Sequence, residues 1–316
     1  MTKKDIGLLL LILIVSAAVA IKNPLFLSPI NLANTANLIG LFGIVAIGQA
    51  VVIMTGGIEL SVGSIICLLG VLFVDLLVNF GLPWPVVLIL ILSFGALIGL
   101  LHGLMITRLD LQPFIVTLCG LLIYRGAARF YTADATAGFK FGQSFPTLEQ
   151  LTIGRIAGVP VSFMAMLVIG AVMWVVLHRS VFGRYLQAVG KNEEAARYSG
   201  IPTRRVIVMA YVICGVLTSV SAVYFAMYTK SISPSSHGNF YELYAIAAAV
   251  LGGFSLRGGE GSIVGVVLGA VLLQVLQNLV NLLGIPSSLN FAVTGSVILI
   301  GVLADTQYSK YRQRRL

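Results

Sequence analysis

The stretch Gly190–Arg205, GKNEEAARYSGIPTRR, is a polar, charged segment between two long apolar runs, Val161–Leu177 and Val206–Tyr228. A helix needs about 17 to 25 predominantly apolar residues to cross the hydrocarbon core of a bilayer, and both runs have that length. A short charged segment between two such runs is typical of a loop that joins two membrane helices. The pattern recurs along the chain and predicts an all-α integral membrane protein.

The same stretch carries marks for the start and the end of a short helix. Asn192 is a favourable N-cap, and the carboxylates of Glu193 and Glu194 complement the positive end of the helix dipole. Gly200 can adopt the left-handed conformation after the last turn, and Pro202 prevents continuation. The resulting helix of about two turns is marginal alone in water. We therefore expect it to dock on another surface; an ordinary loop between membrane helices is the alternative.

The composition excludes a soluble globular protein. The 316 residues are 58% hydrophobic and 10% charged, with a mean hydropathy of +1.01, whereas soluble domains carry about 25% charged residues. The net charge of +9 lies in short segments beside the apolar runs, which argues against nucleic acid as a partner. The three cysteines lie inside apolar runs and the three histidines are scattered, so neither a disulfide framework nor a metal site is expected.

Ten apolar runs predict about ten transmembrane helices with both termini in the cytoplasm. With this orientation, the predicted inner segments hold fourteen Lys and Arg residues and the outer segments four, as the positive-inside rule requires. Residues 190–205 then form a cytoplasmic loop, residues 132–160 a periplasmic loop, and Thr229–Asn239 an outer loop rich in serine, proline and glycine. The runs are Ile6–Ile21, Ile30–Met54, Val62–Phe80, Val86–Thr107, Pro113–Tyr131, Val161–Leu177, Val206–Tyr228, Phe240–Gly253, Ile263–Leu283 and Leu289–Leu303.

Two features near the start of the chain leave alternatives open. Ala18, Val19 and Ala20 resemble a signal-peptidase site, so a cleaved signal competes with an uncleaved first helix. The stretch Gly56–Ser64, GGIELSVGS, fits either a tight cytoplasmic turn or a broken helix at membrane depth. The second geometry is allowed only where the irregular backbone lines a cavity or is buried in protein.

Several apolar runs contain polar side chains. Asn31, Asn34 and Asn37 recur every three residues on one face. Amides in hydrocarbon are expensive, so they either link helices or line a polar path. Arg125 and Arg129, four residues apart, are expected to extend to the lipid headgroups, with a role in a path as the alternative. A further polar stripe lies in the run Ile263–Leu283 and comprises Gln274, Gln277, Asn278 and Asn281.

Three motifs together resemble a known family, the ribose/xylose-type sugar permeases of bacterial ATP-binding-cassette (ABC) importers. The motifs are GGIELSVGS at 56–64, AVGKNEEAARYSGI at 188–201, and ELYAIAAAVLGG at 242–253 with GGEGS at 258–262. Their order and spacing match over nearly the whole chain. The sequence departs from the family pattern at Tyr244, Phe254 and Glu59, where Asp, Thr and Asp are the more usual residues.

The resemblance implies a single permease domain over residues 1–316, in the bacterial inner membrane, that moves a ribose-, xylose- or galactose-like monosaccharide by alternating access. It implies no cofactor on this chain, because ATP and Mg²⁺ bind to partner ATPase subunits. The other implied partners are a second permease copy or relative, a periplasmic sugar-binding protein and membrane lipid. The charged stretch becomes the coupling helix that contacts the ATPase, through Asn192, Glu193, Glu194, Ala195, Ala196, Arg197 and Gly200.

A neutral sugar needs amides and hydroxyls along its path more than charges. The candidate path residues are accordingly Asn37, Gln49, Glu59, Ser61, Gln274 and Asn278. The alternative function is an ion-coupled secondary transporter of a small polar solute, for which Glu59 and Asp75 are the only good intramembrane carboxylates. No nucleophile or acid–base constellation points to an intramembrane enzyme.

Overall fold

The computed structural model describes residues 3–284 together with Pro286, Leu289, Ala292, Val293, Gly295, Ser296 and Leu299. The described chain is mainly helical. Its α-helices are α1 (Lys3–Lys22), α2 (Pro29–Met54), α3 (Val62–Val78), α4 (Trp84–Arg108), α5 (Pro113–Thr132), α6 (Pro146–Thr152), α7 (Val161–Arg179), α8 (Val181–Lys191), α9 (Glu193–Tyr198), α10 (Thr203–Thr229), α11 (Tyr241–Leu251) and α12 (Ile263–Leu282).

Four very short strands and one 3₁₀ turn complete the described elements. The 3₁₀ turn, Pro24–Leu27, joins α1 to α2. Strand β1 (Ala137–Gly138) pairs antiparallel with β4 (Ser231–Ile232), and β2 (Arg155–Ile156) forms a hairpin with β3 (Val159–Pro160). The predicted outer loop 132–160 therefore contains helix α6, the β2–β3 hairpin and strand β1, whose partner β4 lies outside the loop.

Seven of the described helices, α1, α2, α4, α5, α7, α10 and α12, are long and apolar enough to cross a membrane. This confirms the prediction of an all-α membrane protein. Helices α3, with 17 residues, and α11, with 11, are shorter. Helix α11 is only about 16 Å long, half of the hydrocarbon thickness of about 30 Å. The tenth predicted run, Leu289–Leu303, and the basic tail lie outside the described residues, so the number of ten spans stays a prediction.

Helix α2 is the centre of the bundle. Within an apolar stretch of 18 residues in each helix, 89% of the residues are buried in α2, compared with 28% in α4, 22% in α5 and 28% in α7. Residues such as Ile44, Ala50 and Val52 are completely enclosed. Helices α4, α5 and α7 instead present large apolar side chains outward, as helices at a lipid boundary do. Helix α2 is therefore enclosed by the other helices along most of its length, whereas Asn34 near its start is exposed.

The long helix α10 packs against α2, α3 and α4. Its contact with α4 runs along three glycines spaced one turn apart, Gly95, Gly99 and Gly103. A Cβ atom at Gly95 or Gly99 would overlap the backbone of α10 at Gly215 or Tyr211. Small residues at this spacing let membrane helices approach closely, because association within lipid depends on van der Waals packing.

Two connections run inside the bundle rather than around it. The segment after α2 turns back alongside that helix before α3 begins. The second connection is Ser231–Phe240, which we call the re-entrant segment and which includes most of the predicted outer loop Thr229–Asn239. It packs along α3 and leads into the short helix α11. Both connections bring non-helical backbone into the apolar part of the molecule, where its polar groups need partners.

Candidate functional site

Helix α9 confirms the prediction of a capped short helix in the charged stretch. The Asn192 side chain accepts a hydrogen bond from the Ala195 amide at 2.9 Å, and Gly200 has a φ of +83° after the last turn. Of residues 191–200, only Ala196 is buried. The exposed pair Arg197 and Glu194, 3.9 Å apart, adds little stability. Helix α9 is thus held by its caps and one buried alanine, and presents the rest of its surface outward.

The amphipathic helix α8 precedes α9 and was not predicted. The Ser180 hydroxyl caps it by accepting a hydrogen bond from the Gly183 amide at 3.1 Å. Leu186 and Val189 are buried on one face, whereas Arg184 on the other is exposed. This three-to-four-residue spacing of apolar positions is the sequence pattern that predicts such a helix.

The end of α8 meets the end of α2 and the glycine-rich turn before α12. The Gly259 amide donates a hydrogen bond to the Met54 carbonyl at 2.9 Å. A Cβ atom at Gly190 would overlap both groups, so only glycine allows this three-way contact. Gly258, with a φ of +85°, packs against Gly56 and Gly190. We call this contact of three backbone segments the glycine junction; it joins the end of α8, which leads into α9, to the end of α2.

The connection after α2 is a broken helix rather than a tight turn. In the amide orientation that satisfies both of its polar atoms, Gln49 pairs with the backbone of Glu59, its nitrogen 3.0 Å from the carbonyl oxygen and its oxygen 3.2 Å from the backbone nitrogen. Because Gln49 lies five residues before Met54, Glu59 stands about 7 Å back along α2. We call residues Gly56–Ser61 the inner break. It returns into the bundle before α3 begins.

The Glu59 side chain belongs to a buried polar network. Its Oε1 atom accepts hydrogen bonds from the Ser61 amide at 2.8 Å and the Ser61 hydroxyl at 2.6 Å. Its Oε2 atom lies 2.7 Å from Nδ1 of His102, and Nε2 of His102 lies 2.9 Å from the Tyr124 hydroxyl. Glu59 is 3% exposed and His102 fully buried. Both carboxylate oxygens are therefore engaged within the chain.

His102 and Tyr124 were not among the residues predicted for the site. His102 lies in α4 and Tyr124 in α5, far from Glu59 in sequence. A histidine in the middle of an apolar run is the one hint that the sequence offers, because such a residue needs a polar partner. In the same region, the Ile58 carbonyl accepts hydrogen bonds from the Thr117 hydroxyl at 3.2 Å and the Tyr211 hydroxyl at 3.4 Å.

The other predicted path residues lie apart from this network. Asn278 on α12 and Asn31 on α2 exchange two amide hydrogen bonds, of 3.1 and 2.7 Å, which link the two helices. Asn37 accepts a hydrogen bond from the Ser162 hydroxyl, and Gln274 is buried on α12. Gln49, Glu59 and Ser61 are thus brought together, whereas Asn37, Gln274 and Asn278 lie elsewhere on α2 and α12.

Two cavities lie beside predicted residues. One, of about 250 Å³, is lined by Asn34, Asn37, Arg155 and Tyr228. The other, of about 300 Å³, lies between α9, the start of α10 and the turn that joins α4 to α5. The second cavity is mostly polar, and Glu193 and Arg197 of α9 line it. Helix α9 therefore has open space on one side and the glycine junction at its base.

The two arginines of α5 have different partners. Arg129 pairs with Asp134, with Nε 2.6 Å from Oδ1, and both side chains are more than half exposed. Arg125 instead donates hydrogen bonds to the carbonyls of Pro234 and His237, at 2.9 and 2.5 Å. The expectation that Arg125 extends to the headgroups is therefore wrong, because carbonyl acceptors are available to it inside the protein.

Comparison with known proteins gives a family. Residues 31–302 match the model of the family described as "Branched-chain amino acid transport system / permease component". The chain is 39% identical over 305 residues to the ribose import permease protein RbsC of Bacillus subtilis, covering 96% of this chain and 92% of that protein. It is 31% identical to the galactofuranose transporter permease protein YtfT of Escherichia coli, covering 90% and 81% of the two chains.

A further relative is the fructose import permease protein FrcC of Rhizobium meliloti, 31% identical over 311 residues, with 95% of this chain and 84% of that protein covered. No solved structure is a match to the chain. The family model covers most of the sequence, and the relatives align over almost their full length. The chain therefore belongs to the branched-chain amino acid transport system permease family.

Proposed function

We propose that this chain is the membrane-spanning permease subunit of an ABC importer that moves a monosaccharide into the bacterial cytoplasm. Membership of the permease family, together with the seven apolar helices, makes it a multi-pass protein of the inner membrane and a transport subunit rather than an enzyme. The names of three relatives, for ribose, galactofuranose and fructose, support a monosaccharide as the solute.

The observation that carries the proposal is the glycine junction. It connects the end of α8, three residues before the capped and largely exposed helix α9, to the end of the central helix α2. Helix α2 in turn holds the inner break through Gln49. A force applied to α9 by a docked protein thus reaches the middle of the bundle through packed backbone rather than through a flexible loop.

We place α9, the glycine junction and both termini in the cytoplasm, on the distribution of Lys and Arg. Two ATPase subunits, which carry ATP and Mg²⁺, dock on α9 through Asn192, Glu193, Glu194, Ala195, Ala196, Arg197 and Gly200. Tyr198, which is 83% exposed, adds an aromatic contact of the kind that dominates binding energy at protein interfaces. A periplasmic sugar-binding protein delivers the solute from outside, and a second permease copy or relative completes the membrane part.

Transport follows alternating access: closure of the ATPase pair moves α9, and the helices rock about a polar path. Asn37, Gln49, Glu59, Ser61, Gln274 and Asn278 remain the proposed path residues. Asn37 has the most direct support, because it lines the cavity of about 250 Å³. Gln49, Glu59 and Ser61 bond to each other, so their amide and hydroxyl groups reach solute only when the inner break opens.

The structure offers little support for the ion-coupled alternative. Such a transporter needs a carboxylate that is free to bind and release an ion. Glu59 is occupied by Ser61 and His102, and Asp75 by the side chains of Asn79 and Tyr131. Neither of the two carboxylates predicted for ion coupling is therefore open in this conformation.

The test is ATP-driven uptake of labelled D-ribose and D-fructose in proteoliposomes that contain the permease, its ATPase and its binding protein. Glu194→Arg reverses a charge on the exposed face of α9, and Gly200→Pro is incompatible with a φ of +83°. We expect each variant to insert normally and to lose at least tenfold in uptake per ATP hydrolysed. Uptake driven by an ion gradient with the permease alone would show that the proposal is wrong.

Two matched controls separate docking from general damage. Asp134→Arg makes a matching charge reversal at an exposed position in the predicted periplasmic loop, away from α9 and the glycine junction. Gly142→Pro makes the same backbone change at a glycine with a φ of +76° and no neighbour within 4 Å, in the predicted periplasmic loop. Both controls are expected to transport within twofold of the unmodified protein. Equal loss in a control and in its α9 counterpart would remove the case for docking on α9.

A further inference from the structure

The polar cavity of about 300 Å³ beside α9 contains none of the proposed path residues. Its walls come from four elements: the inner break, the turn that joins α4 to α5, helix α9 and the first part of α10. Its volume is at the lower end of the range of small-molecule sites, roughly 300–1,000 Å³. A small molecule in this cavity would therefore contact α9 and the inner break at the same time.

The cavity ends inside the bundle instead of continuing through it. It reaches from Thr203, the first residue of α10, to Tyr211, eight residues or about 12 Å further along that helix. Tyr211 is 1% exposed, and its hydroxyl lies 3.4 Å from the Ile58 carbonyl. A Cβ atom at the buried Gly57 would lie 2.6 Å from that hydroxyl, so the two residues are in close contact. The cavity is therefore a closed-ended pocket rather than a passage.

Four exposed charged side chains line the cavity, and their signs balance. Asp110 and Glu193 contribute carboxylates, and Arg197 and Arg204 contribute guanidinium groups. Within the described part of the chain, no hydrogen bond or ion pair engages the side chains of Asp110, Glu193 and Arg204. The ion pair of Arg197 with Glu194, at 3.9 Å, is a long one. The cavity thus offers unused acceptors and donors together, without a net charge.

This combination fits a neutral, polyhydroxylated ligand. A hydroxyl group both donates and accepts hydrogen bonds, so it can bind a carboxylate and a guanidinium in turn. A phosphorylated or acidic ligand would face the two carboxylates, and like charges brought together in a binding site are costly. An apolar ligand would remove water from four charges and return no hydrogen bonds. A monosaccharide has the required chemistry.

We infer that this cavity is a regulatory site, at which the imported monosaccharide binds from the cytoplasm and slows its own transport. The sugar links Asp110, in the turn after α4, to Arg204 at the start of α10 and to the side chains of α9. It thereby favours the conformation in which the cavity is open, and opposes the movement of α9 that a docked ATPase drives. The inference rests on the proposed function, which supplies the ligand and places α9 in the cytoplasm.

The first test is equilibrium dialysis of tritiated D-ribose and D-fructose against the purified, full-length permease in detergent. Asp110→Gly removes a carboxylate at a residue with a φ of +50°, and Arg204→Gln removes a guanidinium. The matched controls are Asp134→Gly, at an exposed aspartate with a φ of +60°, and Arg205→Gln, at the exposed neighbouring arginine that does not line the cavity. We expect each cavity variant to bind sugar at least tenfold more weakly, and each control within twofold of the unmodified chain.

The same dialysis tests the charge of the ligand. D-Ribose 5-phosphate should bind at least tenfold more weakly than D-ribose, because the carboxylates of Asp110 and Glu193 oppose its phosphate. Failure of both neutral sugars to bind would overturn the inference. So would equal binding of the phosphate ester, or sugar binding that survives both cavity substitutions.

The second test measures regulation in proteoliposomes that hold the permease with its ATPase facing outward and the binding protein with its sugar inside. Millimolar D-ribose or D-fructose added with ATP on the ATPase side should slow ATP hydrolysis at least fivefold, the lower end of usual allosteric coupling. Asp110→Gly should hydrolyse ATP at the unmodified rate without added sugar and resist the inhibition. Glu193 and Arg197 are left intact, because they belong to the proposed ATPase contact.

Hydrolysis that is indifferent to the added sugar would overturn the inference, including the case in which a segment of the ATPase fills the cavity. Inhibition that persists in Asp110→Gly would also overturn it, because the sugar would then act at another site. Failure of the proposed function gives a different result: neither sugar would be transported with ATP even when none is added on the ATPase side. The dialysis requires no transport, so it decides separately whether the cavity binds sugar.

Discussion

The inner break and the re-entrant segment are the same kind of structure with opposite surroundings. Each brings a few residues of non-helical backbone to membrane depth, and each leads into a short helix, α3 or α11. In the inner break, Glu59 and Ser61 are buried: Ser61 donates hydrogen bonds to Glu59, and Glu59 also contacts Gln49 and His102. In the re-entrant segment, Ser235, Ser236 and Asn239 remain exposed, although Arg125 holds the backbone behind them.

The difference shows where the polar groups of a membrane protein find their partners. The inner break satisfies its groups within one chain, so it is complete in the monomer. The re-entrant segment satisfies only its inward side, and its outward side needs water or a second protein. Exposure of polar groups, rather than their presence in an apolar run, thus distinguishes groups whose partners lie outside this chain from groups that are satisfied within it.

The largest effect should come from removing the α4 side chain that pairs with Glu59 of the inner break. His102→Leu leaves the Glu59 carboxylate buried without its partner at 2.7 Å, and removing one member of a buried pair typically destabilises by about 3–5 kcal/mol. We expect a clear fall in the thermal unfolding midpoint of the detergent-purified chain. Adding Glu59→Gln to His102→Leu should restore part of the loss, because the buried charge is gone.

His178 is the matched control for this substitution. It is a second histidine, in α7, whose Nε2 atom is buried and has no hydrogen-bond partner among the described residues. His178→Leu should leave the unfolding midpoint unchanged or raise it, since it removes an unsatisfied polar atom. An equal fall in the unfolding midpoint of the two histidine variants would show that the contact between His102 and Glu59 does not stabilise the protein.

The next effect concerns the packing of the re-entrant segment on α3. Gly63→Ala places a methyl group into the Gly238 carbonyl, and overpacking of this kind costs about 1–3 kcal/mol. Gly126→Ala is the control, in a helix and with no neighbour within 4 Å. It should stabilise by up to about 1 kcal/mol through helix propensity. The two variants should shift the unfolding midpoint in opposite directions; a Gly63→Ala protein as stable as the control would place the segment away from α3.

A smaller effect is expected at Tyr124, where the chain of hydrogen bonds from Glu59 through His102 ends. Tyr124→Phe removes the hydroxyl 2.9 Å from His102, a loss of about 1 kcal/mol for one hydrogen bond. Tyr211→Phe removes a hydroxyl that lies 3.4 Å from the Ile58 carbonyl, a longer and weaker contact. Chemical unfolding of both variants should rank Tyr124→Phe as the more destabilised. The reverse order would mean that the Tyr124 hydroxyl bonds elsewhere.

The smallest effect lies just before the re-entrant segment, where Lys230 Nζ is 2.6 Å from Glu149 Oε1. The hydrogen bond from Lys230 lowers the pKa of Glu149 below its ordinary value of 4.5. A lowered carboxyl pKa stabilises the folded protein above that ordinary value, and the stabilisation is lost as the pH falls through the lower, folded-state pKa. Since both side chains are partly exposed, the gain is below about 1 kcal/mol.

Glu149→Gln measures this contribution. At pH 7 the variant should unfold at a slightly lower temperature than the unmodified chain, and the two midpoints should converge as the pH falls below 4.5, the ordinary pKa of the glutamate carboxyl. A difference that stayed constant across this pH range would show that packing, rather than charge, connects α6 to the start of the re-entrant segment.

Some of these features could be predicted from local sequence and others could not. The caps of α9 could be predicted, because Asn192 and Gly200 act on backbone within a few residues. The pattern of α8 and the three glycines of α4 are also visible in the sequence, at helical spacing. The pairing of Glu59 with His102 could not be predicted, because the two residues are 43 positions apart and meet only when α4 lies beside the inner break. The same limit applies to Arg125 and its carbonyl acceptors, more than 100 positions away.

The re-entrant segment was misassigned for a related reason. Serine, proline and glycine are typical both of a solvated loop and of a segment that must bend inside a protein, so composition does not distinguish the two. Its position became clear only from the glycine contact with α3 and from the place where Tyr241 meets Phe42. The sequence by itself determined the membrane class, the apolar helices and the capped helix α9, since these follow from hydropathy and from local hydrogen bonds. Only the tertiary structure decided which polar groups are sealed and which stay open, because that depends on which helices lie side by side.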